Sequence, residues 1–239
     1  VLAAALAKTT HHVVLSLAGR TSTPMAQPVP TRIGGFGGAV GLARTLRAEG
    51  FDLLIDATHP FATRISDNAA KAAIETGIPA FALRRQPWER QPGDLWTCVK
   101  SMNAAVAALD GRPRRVLLAI GRQEAALFEA APQHAYLVRS VDPINPTLTL
   151  PDVHYILATG PFGETEEHAL LIKHGIDCIV AKNSGGSATY GKITAARALQ
   201  IPVILVERPS EVVLPTVGTV EEALARIDHV LAPGRKRGV

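Results

Sequence analysis

The sequence predicts an α/β protein made of two doubly wound lobes with parallel sheets. Three observations predict it. Short β-branched and apolar runs alternate with helical segments almost to the end of the chain. Helices set between strands act as crossovers, which join parallel strands with a right-handed turn. Aromatic residues make up 5% of the 239 residues and hydrophobic residues 47%. The core is therefore built from Ala, Val, Leu and Ile, the mixture of strands buried on both faces.

The chain starts on an apolar stretch, residues 1–7, that reads as the back half of a helix. A strand and a loop are expected upstream of it, so the first strand of lobe one is missing from these residues. The stretch has neither the basic lead nor the cleavage pattern of a signal peptide. Residues 12–18 (HVVLSLA) read as a strand broken at Gly19, and 31–33 as a short strand running into a glycine cluster. Residues 38–49 are helical, with Val40, Leu42, Ala43 and Leu46 near one face. A buried strand at 51–57 (FDLLIDA) is followed by a helix at 61–76, closed by Gly77 with Pro79 beyond it. Strands at 78–83 and 95–99, the second an edge, and a short helix at 103–109 complete lobe one. Residues 110–114 (DGRPR) are the best linker, so the lobes are expected to span 1–112 and 113–239.

The pattern then restarts. Strands are expected at 116–120, 135–139, 153–158, 176–181 and 203–206, and helices at 123–129, 164–174, 189–199 and 220–231. A loop with Pro143, Pro146 and Pro151 separates the second and third of these strands. Each lobe is thus Rossmann-like, and its chemistry belongs in the loops that leave the carboxyl ends of the strands.

Composition excludes several classes. The net charge is +4, without a dense basic helix or aromatic interleaving, so nucleic acid is not the expected partner. A cleft that collects a polyanionic small molecule explains the basic excess as well. Cys98 and Cys178 are too few for a disulfide framework and fit a reducing cytoplasm. No apolar run approaches the roughly 20 residues of a membrane span. No metal site is expected: His168 and His174 sit six apart on a helix, on different faces. No G-x-S-x-G elbow is present.

Four post-strand loops carry the chemistry. Gly19, Arg20 and Thr21, with Ser22, stand where a dinucleotide fold receives the adenosine ribose. An acid there accepts the 2′-hydroxyl of NAD, whereas an arginine accommodates a 2′-phosphate. These residues favour NADP, against a polar turn with a solvated Arg. Gly34, Gly35, Phe36, Gly37 and Gly38 open a helix and let its amides approach a ligand, or form a flexible turn. Asp56, Thr58 and His59 follow a buried strand, and His59 is able to donate a proton near neutral pH. The plain alternative makes Thr58 or His59 a helix cap. Lys182, Asn183, Ser184, Gly185 and Gly186 lead on to Tyr190, Gly191 and Lys192. Gly186 to Lys192 reads G-x-x-x-x-G-K, but Ile193 stands where a phosphate loop needs Ser or Thr for magnesium, so an NTPase is a weak alternative. What remains is a loop of amides and lysines suited to carboxylates or phosphates. Arg122 in the loop at 121–123 is a further anion contact, against a surface arginine.

The motifs AGRT (18–21), RIGGFGG (32–38), DATHPFA (56–62), AIGRQ (119–123), KNSGG (182–186) and GKITAARALQIPVILVERP (191–209) occur in one order over nearly the whole chain. In this the sequence resembles the precorrin-6A reductase family of cobalamin biosynthesis. The resemblance implies NADPH bound in a cleft between two Rossmann-like lobes, and reduction of one double bond of the precorrin macrocycle to give precorrin-6B. The family opens with a strand and a Gly-Gly-Thr loop, and residues 1–7 match the helix after that loop. On this reading the cofactor meets the loops at 19–21, 34–38 and 58–59. The tetrapyrrole meets Arg122, Lys182–Gly186 and Lys192. His59, Tyr190 and Lys182 are the candidate proton donors. Neighbouring enzymes of the pathway are expected to receive the product. The rival from another class is a non-catalytic two-lobed protein that closes on an anion or a nucleotide.

Overall fold

The short apolar runs pair in parallel throughout the computed structural model, which describes residues 1–19, 24–209 and 214–232. Contacts along the chain divide it into two units, Val1–Arg85 with Ser210–Val239, and Gln86–Pro209. The first unit holds α1 (Leu2–Leu6), β1 (Leu15–Leu17), β2 (Thr31–Ile33), α2 (Gly38–Ala48), β3 (Leu54–Asp56), α3 (Thr63–Thr76) and β4 (Ala80–Leu83). The C-terminal segment returns to it with β11 (Thr216–Val217) and α7 (Val220–Leu231).

In this unit β1 pairs with β2, and a second sheet has the order β11-β4-β3. Both sheets are parallel throughout, as the strands of a doubly wound lobe are. Side chains alternate across β3. Leu54 packs with Leu42, Ala43, Leu46, Ala69 and Ala72 of α2 and α3. Leu53 and Ile55 pack the other way, with Leu6, Phe81, Ala223 and Ile227 beside α1 and α7. Helices therefore cover both faces. The start of α7 is fixed by a capping box: Thr219 Oγ1 accepts from the Glu222 amide at 3.1 Å, and the Glu222 carboxylate accepts from the Thr219 amide at 3.4 Å.

The second unit contains β5 (Trp96–Val99), α4 (Met102–Ala107), β6 (Arg115–Ala119), a 3₁₀ helix (Ala125–Ala130), β7 (Ala135–Ser140) and β8 (Val153–Leu157). It continues with α5 (Glu164–Lys173), β9 (Cys178–Lys182), α6 (Gly191–Ala198) and β10 (Val203–Val206). Its six strands run β5-β10-β9-β6-β7-β8. The inner strands are apolar on both faces: Val116, Leu117 and Leu118 of β6, Ile179 and Val180 of β9 and Val203 to Val206 of β10 are all buried. The order reverses between β6 and β9, where Ala119 lies opposite Ala181. The chain leaves β6 toward β7 on one side and β9 toward β10 on the other. A crevice opens between the loops that follow them, which is where such sheets bind ligands.

Three expectations are corrected. The division falls at Arg85 and Gln86 rather than near residue 112, because β5 joins the second sheet through β10, with Trp96 opposite Val203. The 110–114 segment is a turn inside the second unit, tied by the Arg112 amide to Asp110 Oδ1 at 2.8 Å. The helix expected at 123–129 is a 3₁₀ helix, since Pro132 stops the segment soon after it starts. The two-residue strand β11 is too short to read from sequence. Among the described residues no helix is long and apolar enough to cross a membrane.

His134 enters β7 almost fully buried, edge-on to Tyr136 at 6.0 Å between centroids. Burial pushes its pKa below the ordinary 6.5. The unfolded chain therefore takes up a proton first as pH falls, and the stability that neutral His134 contributes is lost below about pH 6.5. Melting curves at pH 7.5 and pH 5.5 should show a smaller acid loss for His134→Phe than for the parent chain. Equal losses would remove His134 from the acid response.

Candidate functional site

The loop after β3 is built on a buried ion pair. Asp56 ends the strand and Arg84 follows β4, and both are buried. The Arg84 guanidinium donates to the Asp56 carboxylate, to the backbone oxygens of Asp56 and Thr58 at 3.0 and 3.1 Å, and to Ser66 Oγ of α3 at 2.7 Å. Asp56 Oδ1 accepts from the Thr58 amide at 3.0 Å and from Thr58 Oγ1 at 2.7 Å. Burial alone would raise the Asp56 carboxyl, but hydrogen bonds from Ser66, Arg84 and Thr58 outweigh it and hold it below the ordinary carboxylate value. The loop is thus locked before any ligand arrives. His59 stands exposed beyond it, with its ring tilted on Phe61 at 5.7 Å. His59 Nδ1 accepts from the Phe61 amide at 3.3 Å, which puts the proton of the neutral ring on Nε2.

The glycine loop after β2 has a different construction. Gly34, Gly37 and Gly38 have φ of 116°, 80° and 87°, which other residues rarely adopt. A Cβ at any of Gly34, Gly35, Gly37 or Gly38 would meet nothing within 4 Å. The space beside them is open, and no side chain caps the first amides of α2. Arg32 stacks on Phe36 at 3.9 Å and donates to the Gly34 carbonyl at 3.4 Å. Gly41 is the constrained glycine, because a Cβ there would lie 1.6 Å from the Phe36 carbonyl oxygen. An open, uncapped helix start edged by glycines fits the phosphates of a dinucleotide. Gly19 follows β1 at φ 69°. Arg20 and Thr21 lie outside the described residues.

In the second unit the crevice between β6 and β9 is bridged by Lys182, whose Nζ meets Glu124 Oε2 at 2.6 Å. Arg122 is exposed beside Asp142 at 4.0 Å. The loop after β9 is anchored from within. The Asn183 side chain accepts from the Trp88 amide at 2.8 Å and donates to the Trp88 carbonyl at 3.0 Å. Trp88 Nε1 donates to the Gly186 carbonyl at 2.7 Å, and Arg208 donates to the carbonyls of Asn183 and Ser184 at 3.0 and 3.1 Å. A Cβ on Gly185 would sit 2.1 Å from the Gln86 carbonyl oxygen. Asn183 and Gly185 therefore shape the loop, while Ser187 and Ala188 are its exposed part.

Two of the expected site residues point inward. Lys192 is 4% exposed and donates to the Thr189 carbonyl. Ile193 behind it is fully buried and has no hydroxyl to offer the magnesium of a phosphate loop. The Tyr190 hydroxyl runs along α6 to accept from Arg197 at 2.8 Å, seven residues on, and Asp94 holds Arg197 at 2.8 Å. Sequence reasoning missed Arg84 and Arg208. Both stand just after a strand, β4 and β10, and the rule that located the other loops reaches them too.

Breaking the Asp56–Arg84 pair leaves one buried charge unmatched. Arg84→Met should cost about 3–5 kcal/mol, and Arg84→Met with Asp56→Asn should recover part of it. Urea midpoints of the two variants measure this. A single variant as stable as the parent would contradict the lock.

Comparison with known proteins places these loops in a family. A family model described as precorrin-6x reductase CbiJ/CobK matches residues 1–228. A precorrin-6A reductase of a Sinorhizobium species is 62% identical over 223 residues, covering 93% of this chain and 85% of its own. The precorrin-6A reductase of Rhodobacter capsulatus is 48% identical over 239 residues, covering 100% of this chain and 94% of its own. A solved structure of CobK precorrin-6A reductase superposes with a TM-score of 0.94 at 47% identity, over 98% of this chain and 93% of that one. With a Rossmann-like strand order in its second unit, parallel sheets in its first and relatives along nearly its whole length, the chain belongs to the precorrin-6x reductase CbiJ/CobK family.

Proposed function

We propose that this chain reduces one carbon–carbon double bond of precorrin-6A to give precorrin-6B in cobalamin biosynthesis, with NADPH as the reductant. The observation that carries this reading is 62% identity over 93% of the chain to a relative named precorrin-6A reductase. The open glycine loop and uncapped start of α2 in the first unit support a nucleotide there. NADPH, when bound, supplies the hydride. Gly34, Gly35, Gly37 and Gly38 would hold its phosphates, and Arg20 with Thr21 its 2′-phosphate. A reducing cytoplasm is the setting we assign, in keeping with two unpaired cysteines.

The loops of the second unit are the substrate side. Arg122 and Lys182 carry the charge that attracts the carboxylates of the macrocycle, and the amides of the 183–190 loop are held ready by Trp88 and Arg208. The Glu124 carboxylate restrains Lys182 until a competing carboxylate arrives. Hand-over of the product to the next enzyme of the pathway is the partnership we assign.

The reduced bond also needs a proton at the carbon next to the one that takes the hydride. His59 is the donor we assign. Its Nε2 carries the proton and its ring is exposed at a strand end. The Tyr190 hydroxyl serves Arg197 and Lys182 serves Glu124.

Mass spectrometry after incubation with NADPH and precorrin-6A should find a product heavier by two hydrogens. No turnover would sink the reading. His59→Gln should lower kcat by about a hundredfold, the usual worth of a positioned general acid, with the KM for NADPH nearly unchanged. An unaltered kcat would remove His59 from the proton step. Arg20→Ala should raise the KM for NADPH far more than that for NADH, and equal changes would exclude a 2′-phosphate contact.

A further inference from the structure

Lys192 is an unusual residue to bury. It stands in the first turn of α6, 4% exposed, with one hydrogen bond, to the Thr189 carbonyl. Its Nζ lies 4.8 Å from the centroid of the Trp88 ring. Two other charges face it, Arg139 from β7 and Glu167 from α5. These two form a buried two-pronged ion pair with each other, and Arg139 also stacks on Phe162 at 4.1 Å. Arg139 and Glu167 are matched to each other, so the Lys192 ammonium has no carboxylate hydrogen-bonded to it. An ammonium with a single carbonyl partner in such a place costs stability unless it serves another end.

The position of that carbonyl shows the end it serves. Thr189 closes the 183–189 loop, and its Oγ1 meets Ser184 Oγ at 3.2 Å. Trp88 under the ammonium also carries the Gly186 carbonyl, the Asn183 side chain and the Tyr190 ring, 5.8 Å away. Lys192 thus draws the far end of the loop onto the same tryptophan whose backbone holds Asn183 and whose indole holds Gly186.

We propose that Lys192 is a positioning residue for the substrate: its buried ammonium, clamped between the Thr189 carbonyl and the Trp88 ring, holds the 183–190 loop in the shape that receives the carboxylates of the tetrapyrrole. This rests on the reading above that the loop faces the substrate. Burial lowers the pKa of Lys192 to about 7. The clamp therefore weakens as pH rises through neutrality, when the ammonium loses its charge.

The test is spectral titration of the full-length protein with precorrin-6A, without NADPH, from pH 6 to pH 8.5, together with melting curves. The parent chain should bind more weakly as pH rises through about 7. Lys192→Met keeps the length of the side chain and removes the charge. It should melt at the same or a higher temperature, bind the tetrapyrrole about tenfold more weakly at pH 6 and lose the pH dependence, with NADPH binding unchanged. Unchanged tetrapyrrole affinity and pH dependence would overturn the proposal. So would a lower melting temperature with tetrapyrrole and NADPH binding weakened alike, the mark of a purely structural lysine. Ser187→Asp separates the underlying reading, since a new carboxylate on the exposed loop should repel the substrate. If Ser187→Asp binds normally, the loop does not face the substrate. If Ser187→Asp weakens binding and Lys192→Met does not, the positioning role alone fails.

Discussion

The parallel pairing of β6 with β9 is the constraint on which the second unit depends. With Ala119 opposite Ala181, the two strands end side by side and the chain departs from them in opposite directions. The Lys182–Glu124 ion pair links the segments that leave the two strands. The pairing needs strands that are apolar on both faces, which is why the centres of β6 and β9 read as apolar runs, Val116 to Ala119 and Cys178 to Ala181. Position on the sheet thus follows from hydrophobicity, and the placement of charge follows from position.

The two units solve the problem of loop rigidity in similar ways. Each uses an arginine, buried in the first unit and half-buried in the second, to grip loop carbonyls. In the first unit Arg84 grips the carbonyls of Asp56 and Thr58, and in the second Arg208 grips those of Asn183 and Ser184. Arginine suits this task because its planar fork reaches two acceptors at once. A loop ordered in advance loses less entropy when a ligand binds. The glycine loop at 34–38 differs, since its shape comes from backbone angles and leaves its amides uncovered.

Much of this was legible in the sequence, for identifiable reasons. β2, β10 and α7 match their expected bounds because periodicity and flanking turns coincide there. The glycine loop and the loops at Asp56 and Lys182 were found because each directly follows an apolar run. The division into units was not legible: β5 pairs with β10 more than a hundred residues later, and the weak turn at 110–114 gives a stronger local signal than the true boundary. The direction of Lys192 was hidden as well. Its neighbours Trp88, Arg139 and Glu167 come from three distant segments, and a G-K pair at a helix start reads as ligand-binding whichever way the lysine turns.

We propose that the loops after β6 and β9 receive the tetrapyrrole while the loops after β2 and β3 serve the nicotinamide nucleotide. Hydrogen–deuterium exchange with each ligand added alone tests it most directly. Protection by precorrin-6A at 119–124 and 182–190, and by NADPH at 34–38 and 56–62, is the predicted result. Protection by the tetrapyrrole confined to the first unit, with the loop after β9 exchanging as freely as before, would contradict it.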